Sequence, residues 1–409
     1  MRKYFLILLG IAFLYALILG GSTESAAQAK ELKISSLSVL TGPGSPGISP
    51  QAIYGVVGAA DWINSKGGLT IKGEKYRIKI LMEDSKDSAD GMVAATNKAV
   101  YQDKVKFVLN CTPSMSILKA VLPMLQKNKV IVVNGEGLGV REYVFPEFNY
   151  LFYSPMCTSA YMCTLDAFKK LYPNVKTFVS MTTEGDEFQK EVKQIEQALA
   201  LDPKGPQIVN YGTYPMGSSD YYPVWTKALA SPQKADGIIM CMGIAQWYAG
   251  VRKQGGELGF DKPFVGMGIG ADPYIVADIA GQYATDMLLA AFDFKSPAMT
   301  PEIKEAIKFI KDKFNQEMTA AIFIGWEQMV ILANVIEKAQ SLDSTVVKDF
   351  WEKMTSINTP AGKGKMGGSE YYGINHVVIR PMPMSRIMKG KVEHYGWGDG
   401  SLPPVHKAK

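Results

Sequence analysis

The chain has 409 residues, which is long enough for two domains of ordinary size. Its residues are 47% hydrophobic and 20% charged, a balance typical of a folded globular protein and not of a disordered one. The formal net charge of +5 is small and spread along the sequence, with no basic cluster interleaved with aromatic residues. This pattern argues against nucleic acid as a partner.

The first 29 residues have the pattern of a secretory signal peptide. Two basic residues at positions 2 and 3 precede an apolar run over residues 5–19, and Ala27-Gln-Ala29 fits the small-x-small rule for cleavage before Lys30. The run is short for a membrane span, which needs about 20 residues, although an uncleaved anchor is the alternative. No cysteine lies near the cleavage site, so a lipid-anchored form is not expected. We therefore expect export as a soluble protein.

Downstream of residue 30, short apolar runs alternate with amphipathic segments of helical period. The runs have the length of strands and end at or just before Gly, Pro, Asn or Asp. The predicted strands are Lys33–Leu40, Tyr76–Asp84, Val105–Asn110, Val130–Asn134, Thr177–Thr183, Gln207–Tyr211, Ala235–Gly243, Pro263–Gly268 and a run at His376–Met384.

The helices predicted between these strands complete a βα alternation. Alternating βα units favour parallel sheets that are covered by helices on both faces. The predicted helices are Ala52–Asn64, Ala89–Gln102, Met115–Lys127, Ser159–Leu171, Glu187–Ala200, Tyr221–Ala230 and Ala245–Gln254, followed by helices that begin at Pro301, Ile322 and Ser344.

The alternation occurs in two series, which predicts an α/β protein of two doubly wound, Rossmann-like lobes joined by a hinge. We expect lobe 1 to comprise residues 30–156 and 292–370. Lobe 2 is expected to comprise residues 157–291 and 371–409.

Small and polar residues follow the predicted strands in both lobes. Ligands of open α/β sheets bind in the crevice at the carboxyl ends of the strands, where glycines allow close backbone approach and helix starts offer free N–H groups. Turn geometry alone explains any single loop of this kind, but six such loops favour a shared pocket. The candidate ligand-binding residues are Ser45, Thr112, Pro113, Ser114, Gly135, Glu136, Gly137, Asp186, Gly243, Gln246 and Gly268.

Two carboxylates in these loops have competing interpretations. Glu136 lies between two glycines and is either a ligand-facing charge or a solvated neighbour of a helix start. Asp186 resembles an ordinary N-cap, with Gln189 completing a capping box.

Signals for catalysis, metals and cofactors are poor. The three histidines, His376, His394 and His406, all lie in the C-terminal tail, away from the strand-end loops. Nucleophile-elbow, phosphate-loop and dinucleotide-binding motifs are not present. We therefore predict no enzyme, no catalytic residue, no metal site and no cofactor. The four cysteines, Cys111, Cys157, Cys163 and Cys241, are irregularly spaced and allow three disulfide pairings, between which the sequence does not choose.

Several motifs together resemble the leucine/isoleucine/valine-binding proteins. They include Leu40-Thr-Gly-Pro43, the segment from Ala59 into Gly67-Gly68, the acidic end of the Tyr76–Asp84 strand, and Arg252-Lys-Gln-Gly-Gly256. The similarity extends in order over residues 31–395. It implies the type I periplasmic binding fold, in which the chain crosses three times between two lobes that close on a ligand.

The resemblance also implies a function and some site roles. We expect a periplasmic solute-binding component of an ABC importer that delivers a small polar molecule, such as an amino acid or a related acid or amide, to the membrane permease. A monomer is expected. Ser114 matches the family hydroxyl that holds the ligand carboxylate, whereas the second-lobe glutamate of the family falls on Gly268. This departure widens the expected ligands to aromatic and short organic acids.

Two other function classes remain open at this stage. A ligand-sensing subunit for a membrane receptor uses the same fold, and an exported hydrolase is the weaker alternative. If Glu136 faces the same cleft as Ser114, the pair favours a ligand with both a carboxylate and a cationic group.

Overall fold

The computed structural model describes residues 29–42, 49–111, 115–135, 141–154, 157–241, 243–268 and 270–402. Within these ranges the strands form two separate sheets, one of nine strands and one of seven. The strands are β1 (Lys30–Ser38), β2 (Leu69–Ile71), β3 (Glu74–Asp84), β4 (Phe107–Cys111), β5 (Ile131–Asn134), β6 (Leu151–Tyr153), β7 (Thr177–Thr183), β8 (Gln207–Tyr214), β9 (Gly237–Met240), β10 (Phe264–Gly266), β11 (Met287–Leu289), β12 (Ile357–Thr359), β13 (Gly362–Gly367), β14 (Val377–Ile379), β15 (Met382–Met388) and β16 (Lys391–Gly398).

The helices lie between the strands, as the sequence predicts. A π-helical turn at Lys98–Gln102 and 3-10 turns at Cys157–Ala160 and Gly281–Tyr283 extend or precede them. The α-helices are α1 (Ser49–Ser65), α2 (Ala89–Asn97), α3 (Met115–Lys119), α4 (Leu122–Lys127), α5 (Arg141–Val144), α6 (Tyr161–Leu171), α7 (Asp186–Ala200), α8 (Tyr222–Ala230), α9 (Ala245–Glu257), α10 (Pro273–Ala280), α11 (Pro301–Phe314), α12 (Ala320–Ala339), α13 (Ser344–Glu352) and α14 (Ser369–Tyr372).

The two sheets share one parallel strand order. The first sheet runs β12-β13-β14-β6-β5-β4-β1-β3-β2, and the second runs β16-β15-β11-β10-β9-β7-β8. In each, the parallel strand that comes first along the chain lies between the second and the third, which is the flavodoxin-like order of a doubly wound sheet. The predicted fold class, an α/β protein with two doubly wound lobes, is confirmed.

Each sheet is buried on both faces. Phe107, Val108 and Leu109 of β4 are at most 1% exposed and alternate between two separate apolar clusters, one on each face of the first sheet. Two further clusters cover the second sheet in the same way. Such continuous apolar strands are expected in parallel sheets that are covered by helices on both sides.

Helix α12 is the central helix of lobe 1. Among the described residues it is the one helix long and apolar enough to span a membrane, but 89% of its apolar window is buried within the fold. It packs closely on α1, because a Cβ at Gly55 would lie 1.8 Å from the carbonyl oxygen of Ile322 and a Cβ at Gly325 would lie 2.1 Å from that of Ala52. Its burial identifies it as a core helix.

The chain passes three times between the two sheets. The crossings lie between β6 and α6, between β11 and α11, and between β14 and β15. The predicted strand at His376–Met384 is divided at the third crossing, because Arg380 and Pro381 separate β14 in the first sheet from β15 in the second. The segment 371–379, expected in lobe 2, therefore contributes a strand to the sheet of lobe 1.

Most predicted elements are present with shifted ends, and one helix is divided. Strand β7 has the predicted bounds, whereas the predicted helix Met115–Lys127 forms two short helices. The division follows from Pro123, which has no N–H to donate to the carbonyl of Lys119 and lies in the first turn of α4. The short strands β2, β6, β12 and β13 were not predicted.

A buried histidine joins three elements of lobe 1. The His376 side chain, 2% exposed, has Nδ1 2.8 Å from the carbonyl oxygen of Leu151 and Nε2 2.7 Å from a carboxylate oxygen of Glu352. Its ring stacks on Phe152 at 4.2 Å. Both oxygens are acceptors, so both ring nitrogens donate when the imidazole is protonated and Glu352 is ionised.

The Glu352 contact makes stability depend on pH. The hydrogen bond with His376 is the largest cause that holds the pKa of Glu352 at about 2, below the ordinary 4.5. A depressed carboxyl pKa stabilises the fold above 4.5, and this contribution is lost as the pH falls toward 2. We expect Glu352→Gln to lower the free energy of unfolding at pH 7 by about 1.5–3 kcal/mol, the range for a charged hydrogen bond. Urea unfolding at pH 7 and pH 3 measures this difference, and equal losses in both proteins on acidification would contradict it.

Candidate functional site

The predicted binding loops follow the carboxyl ends of the parallel strands. With this strand order, ligands bind where neighbouring connections leave for opposite faces, which is beside β1 and β4 in the first sheet and beside β7 and β9 in the second. Of the predicted site residues, the structure describes Gly135, Asp186, Gly243, Gln246 and Gly268. Ser45, Thr112, Pro113, Ser114, Glu136 and Gly137 lie outside the described residues.

Two buried asparagines join the ends of β4 and β5. Asn110 and Asn134 are opposite each other in the parallel register, and Nδ2 of Asn110 donates to Oδ1 of Asn134 at 2.7 Å. Nδ2 of Asn134 lies 3.4 Å from the sulfur of Met115, the first residue of α3. Because the segment 112–114 lies between Asn110 and Met115, and the segment 136–140 follows Asn134, these contacts fix the points from which both predicted loops leave the sheet.

Gln328 of α12 packs against the same strand ends. Its Nε2 donates to the carbonyl oxygen of Asn110 at 3.1 Å, and its Oε1 accepts from Cys111 at 3.6 Å. A Cβ at Gly135 would lie 1.6 Å from Nε2 of Gln328, so glycine is required there to admit this side chain. No local pattern points to Gln328, which lies 218 residues from Asn110 along the chain, in an apolar helix.

Asp84 anchors the start of the loop after β1. Its Oδ1 accepts from the N–H groups of Leu40 and Thr41 at 3.0 and 3.3 Å, and its Oδ2 accepts from the Thr41 hydroxyl at 2.6 Å. Burial raises the pKa of Asp84, but the hydrogen bonds from Thr41, Lys86 and Leu40 outweigh burial, so that the pKa lies below its ordinary value. The carboxylate therefore fixes where the segment 43–48 begins.

In lobe 2, the side chain of Tyr248 lies against the predicted residues Gly243 and Gly268. A Cβ at Gly243 would lie 2.2 Å from the Tyr248 ring, and a Cβ at Gly266 would lie 2.6 Å from it. The N–H of Gly268 donates to the Tyr248 hydroxyl at 2.8 Å. The buried ring thus sets the path of the loops after β9 and β10, and the glycines make room for it.

Asp186 begins α7 but does not cap it. Gly185 occupies the N-cap, with φ at 128°, and no side chain among the described residues caps this helix. The predicted capping box is therefore wrong, and Gln189 instead donates from Nε2 to the carbonyl of Thr183 at 3.3 Å. The Asp186 side chain is 72% exposed and lies 2.9 Å from Nζ of Lys190, one helical turn away.

Glu187, the next residue, is the more buried carboxylate of this helix start. Burial raises its pKa above the ordinary value, and the neighbouring charge of Asp186 raises it further. Its Oε2 is buried and has no hydrogen-bond partner in the described part of the chain. A cationic group placed beside it would stabilise the ionised form. Sequence analysis did not select Glu187.

Aromatic side chains cluster at the carboxyl edge of the second sheet. Trp247, in the first turn of α9, makes edge contacts with Phe188 of α7 at 6.4 Å and with Tyr214 at the end of β8 at 6.3 Å. Tyr221 makes a further edge contact with Tyr214 at 4.8 Å. Of these four side chains only Trp247 is partly exposed, so it is the one that offers an aromatic surface next to the predicted residue Gln246.

A cavity of about 110 Å³ lies between the two lobes. Gln51 of α1 and Thr319 and Ala320 at the start of α12 line it from lobe 1, whereas Gln246 of α9 and Asp272 at the start of α10 line it from lobe 2. Four helices thus begin at this cavity. The partial positive charge at the start of a helix favours an anion.

Three of these helix starts, those of α12, α10 and α9, differ in how they are capped, and the residue before α1 lies outside the described residues. Thr319 accepts from an N–H of α12 and donates to Oε1 of Gln51 at 2.9 Å. Asp272 accepts from the N–H groups of Tyr274 and Ile275. The N-cap of α9, Ile244, supplies no side-chain hydrogen bond, so the N–H groups at the start of α9 are not satisfied by their own cap.

A second contact between the lobes lies near α7. Nζ of Lys190 in lobe 2 is 4.0 Å from a carboxylate oxygen of Glu142 in lobe 1. Both side chains are partly exposed, so the contact contributes little energy, but it shows that the lobes approach each other here as well as at the cavity.

The cysteines and the residue types that bind metals are the remaining side chains that could carry chemistry. Cys163 and Cys241 have free thiols, Cys111 donates to Oε1 of Gln328, and the side chain of Cys157 lies outside the described residues. Burial raises the pKa of Cys163 to about 11 and that of Cys241 well above its ordinary value, so both are thiols at neutral pH. Over the described ranges, no group of three or more His, Cys, Asp and Glu residues is arranged to hold a metal ion.

Solved structures of similar fold include two in complex with a small acid. LivJ, a branched-chain amino acid transporter substrate-binding protein from Streptococcus pneumoniae in complex with isoleucine, is 18% identical, with a TM-score of 0.69 over 90% of this chain and 99% of that one. An amino acid ABC transporter substrate-binding protein from Pseudomonas fluorescens is 17% identical, with a TM-score of 0.75 over 92% and 98% of the two chains. An ABC transporter solute-binding protein from Rhodopseudomonas palustris in complex with 3,4-dihydroxybenzoic acid is 14% identical, with a TM-score of 0.71 over 92% and 99%.

The family model for periplasmic binding proteins matches residues 31–391, which is most of the chain. The match begins one residue after the expected new N-terminus, Lys30, and extends from β1 to the start of β16, so it includes all three crossings and every strand-end loop described above. The resemblance seen in the strand-end motifs is thereby confirmed. The chain belongs to the periplasmic binding protein family, whose members are solute-binding proteins and not enzymes.

Proposed function

We propose that this protein captures a small organic carboxylate between its two lobes and delivers it to the permease of an ABC importer. The observation that carries the proposal is the cavity between the lobes, at which four helices from both lobes begin. An anionic group placed there receives hydrogen bonds from helix N-termini of both lobes at once, which favours the closed arrangement over the open one.

The other end of the ligand is proposed from the surroundings of the cavity. Trp247 is partly exposed beside Gln246 and is backed by the buried rings of Phe188 and Tyr214, so its indole is the apolar surface that we propose for an aromatic ring or a branched aliphatic side chain. Two of the similar structures carry isoleucine and 3,4-dihydroxybenzoic acid respectively, which combine a carboxylate with such a group. We therefore propose an amino acid or an aromatic acid as the ligand class.

In our proposal, Glu187 determines whether the protein binds an amino acid or an aromatic acid more tightly. An amino acid brings an ammonium group, which pairs with a carboxylate in the cleft, whereas a benzoate brings no cation. Glu187 has a buried oxygen without a partner in the described part of the chain, and its raised pKa reflects that environment. Glu136, predicted for the same role from the sequence, lies outside the described residues, so both carboxylates are candidates for the ammonium partner.

The location and the partner of the protein are proposed from its family. We propose that residues 1–29 are removed on export, that the mature chain acts in the periplasm as a monomer, and that its macromolecular partner is the membrane permease. These proposals rest on the basic and apolar pattern of the first 29 residues and on the family match, which begins at residue 31.

A thermal-shift panel tests the ligand class. Isoleucine, leucine, phenylalanine, benzoate and 3,4-dihydroxybenzoate are compared with the matching amides and with glucose as a control without a carboxylate. A ligand at 100 times its dissociation constant adds about 2.7 kcal/mol to the stability of the folded state, so we expect at least one carboxylate to raise the melting temperature clearly. A shift with glucose or with the amides and none with any acid would refute the proposed anion site.

Glu187→Gln tests the ammonium partner. We expect it to weaken an amino-acid ligand by about 1.5–3 kcal/mol, the range for a hydrogen bond to a charged group, and to spare an aromatic acid. It should also raise stability at pH 7, because the raised pKa means that ionisation destabilises the folded state. This gain should vanish as the pH falls and the wild-type carboxyl group is protonated.

Asp186→Asn is the matched control, since it removes a neighbouring carboxylate whose side chain is 72% exposed. Titration calorimetry and urea unfolding compare the two variants. Wild-type affinity for an amino acid in Glu187→Gln would show that Glu187 does not contact the ligand.

A further inference from the structure

Glu327 and Gln328 are consecutive residues of the core helix α12, and both side chains are completely buried. Consecutive side chains of an α-helix project about 100° apart, so they contact different neighbours while they belong to one rigid turn. A charged residue and an amide are unusual in the middle of a buried apolar helix, because each must be paired to offset its desolvation.

Gln328 contacts the strand ends from which two predicted ligand loops leave the sheet. Its amide bonds to the carbonyl oxygen of Asn110 at 3.1 Å and to the thiol of Cys111 at 3.6 Å, and it fills the space beside Gly135. The segments 112–114 and 136–140 begin immediately after these residues. A shift of Gln328 therefore displaces the points from which both loops start.

Glu327 contacts the third crossing between the lobes. Nη2 of Arg380 donates to Oε2 of Glu327 at 2.7 Å, and Nε of Arg380 lies 2.7 Å from Oε1. Arg380 is 2% exposed and lies between β14 of the first sheet and β15 of the second. Its Nη1 also donates to the carbonyl oxygen of Pro381 at 2.8 Å, so the guanidinium spans from the crossing itself to α12.

Arg380 also contacts the second crossing. The centre of its guanidinium is 5.5 Å from the ring centroid of Phe292, which lies between β11 and α11. Phe292 in turn packs against Phe323 of α12 at 4.6 Å and against Trp397 of β16 at 6.0 Å. Two of the three chain crossings therefore meet at one buried arginine, and that arginine is held by α12.

We propose that the Glu327–Gln328 turn of α12 links the second and third crossings to the ends of β4 and β5. Gln328 is a positioning residue for Asn110, Cys111 and Gly135 at these strand ends, and the Glu327–Arg380 ion pair holds the same turn against the crossings. Rotation of the lobes moves Arg380 and, through Glu327, the amide that contacts the strand ends. The proposal rests on the proposed function in one respect, namely that the ligand binds beside these strand ends.

Hydrogen exchange without ligand tests the link through a double-mutant cycle. One change is Gln328→Met, which keeps the size of the side chain and removes the amide. The other is the paired replacement Glu327→Met with Arg380→Met, because removing one member alone would leave a buried unpaired charge, whereas replacing both by apolar residues is often tolerated. Exchange is followed in peptides covering residues 107–119 and 131–144.

We expect each change to speed exchange in both peptides by about tenfold, the effect of losing a hydrogen bond worth 1–1.5 kcal/mol. The combined variant should show less than the product of the two effects, because both changes release the same turn. Wild-type exchange in the paired Met variant would overturn the link to the hinge. Wild-type exchange in Gln328→Met would overturn the positioning role, and a simple product would show that the two act independently.

Glu352→Gln is the matched control for a general loss of stability. It removes another charged contact of lobe 1, with His376, which is not part of the path through α12. We expect it to speed exchange in both peptides only as far as its drop in the free energy of unfolding requires. If the α12 variants also speed exchange only in proportion to their own drop, their effect is global destabilisation and the link is overturned. Because no ligand is used, a protein that binds no carboxylate would refute the proposed function without affecting this result.

Discussion

Parallel strand pairing is the constraint on which the rest of this structure depends. Strands such as β1, β4 and β5 pair in parallel because a crossover, here a helix, returns the chain each time to the amino ends of the strands. The carboxyl ends of the strands then all lie on one side of the sheet, and every βα loop and helix start lies beside them. Two sheets built in this way and joined by three crossings bring two such sides together, which produces a cleft surrounded by helix N-termini.

The positions of several buried polar residues are related to this cleft. Asn110, Asn134 and Gln328 satisfy one another where the strands end, although apolar residues would fill the same space without any need for partners. Glu327 and Arg380 form a bidentate contact in a region where an ion pair brings little net stability. Their positions, at the loops and at the chain crossings, indicate that these residues set geometry for binding and closure.

Sequence patterns predicted the regular parts of the fold, and contacts between distant residues determined the remainder. Strand β7 could be located to the residue, because a buried apolar run ends at polar loop residues. The division of the His376–Met384 run could not be predicted, because the change of sheet depends on the contact of Arg380 with Glu327, 53 residues earlier in the chain. Gly243 was selected as a glycine of a strand-end loop, but the requirement for glycine there comes from the ring of Tyr248 and depends on packing within lobe 2. Gln328 had no local signal at all.

The central claim is that the lobes close on a carboxylate ligand, and small-angle X-ray scattering tests it most directly. The mature protein is measured alone and with saturating amounts of the acid that gives the largest thermal shift, with the matching amide as the control. Lobes joined by three narrow crossings are free to rotate unless a large apolar interface holds them together. We expect a smaller radius of gyration with the acid and no change with the amide, and an unchanged radius at saturation would contradict capture by closure.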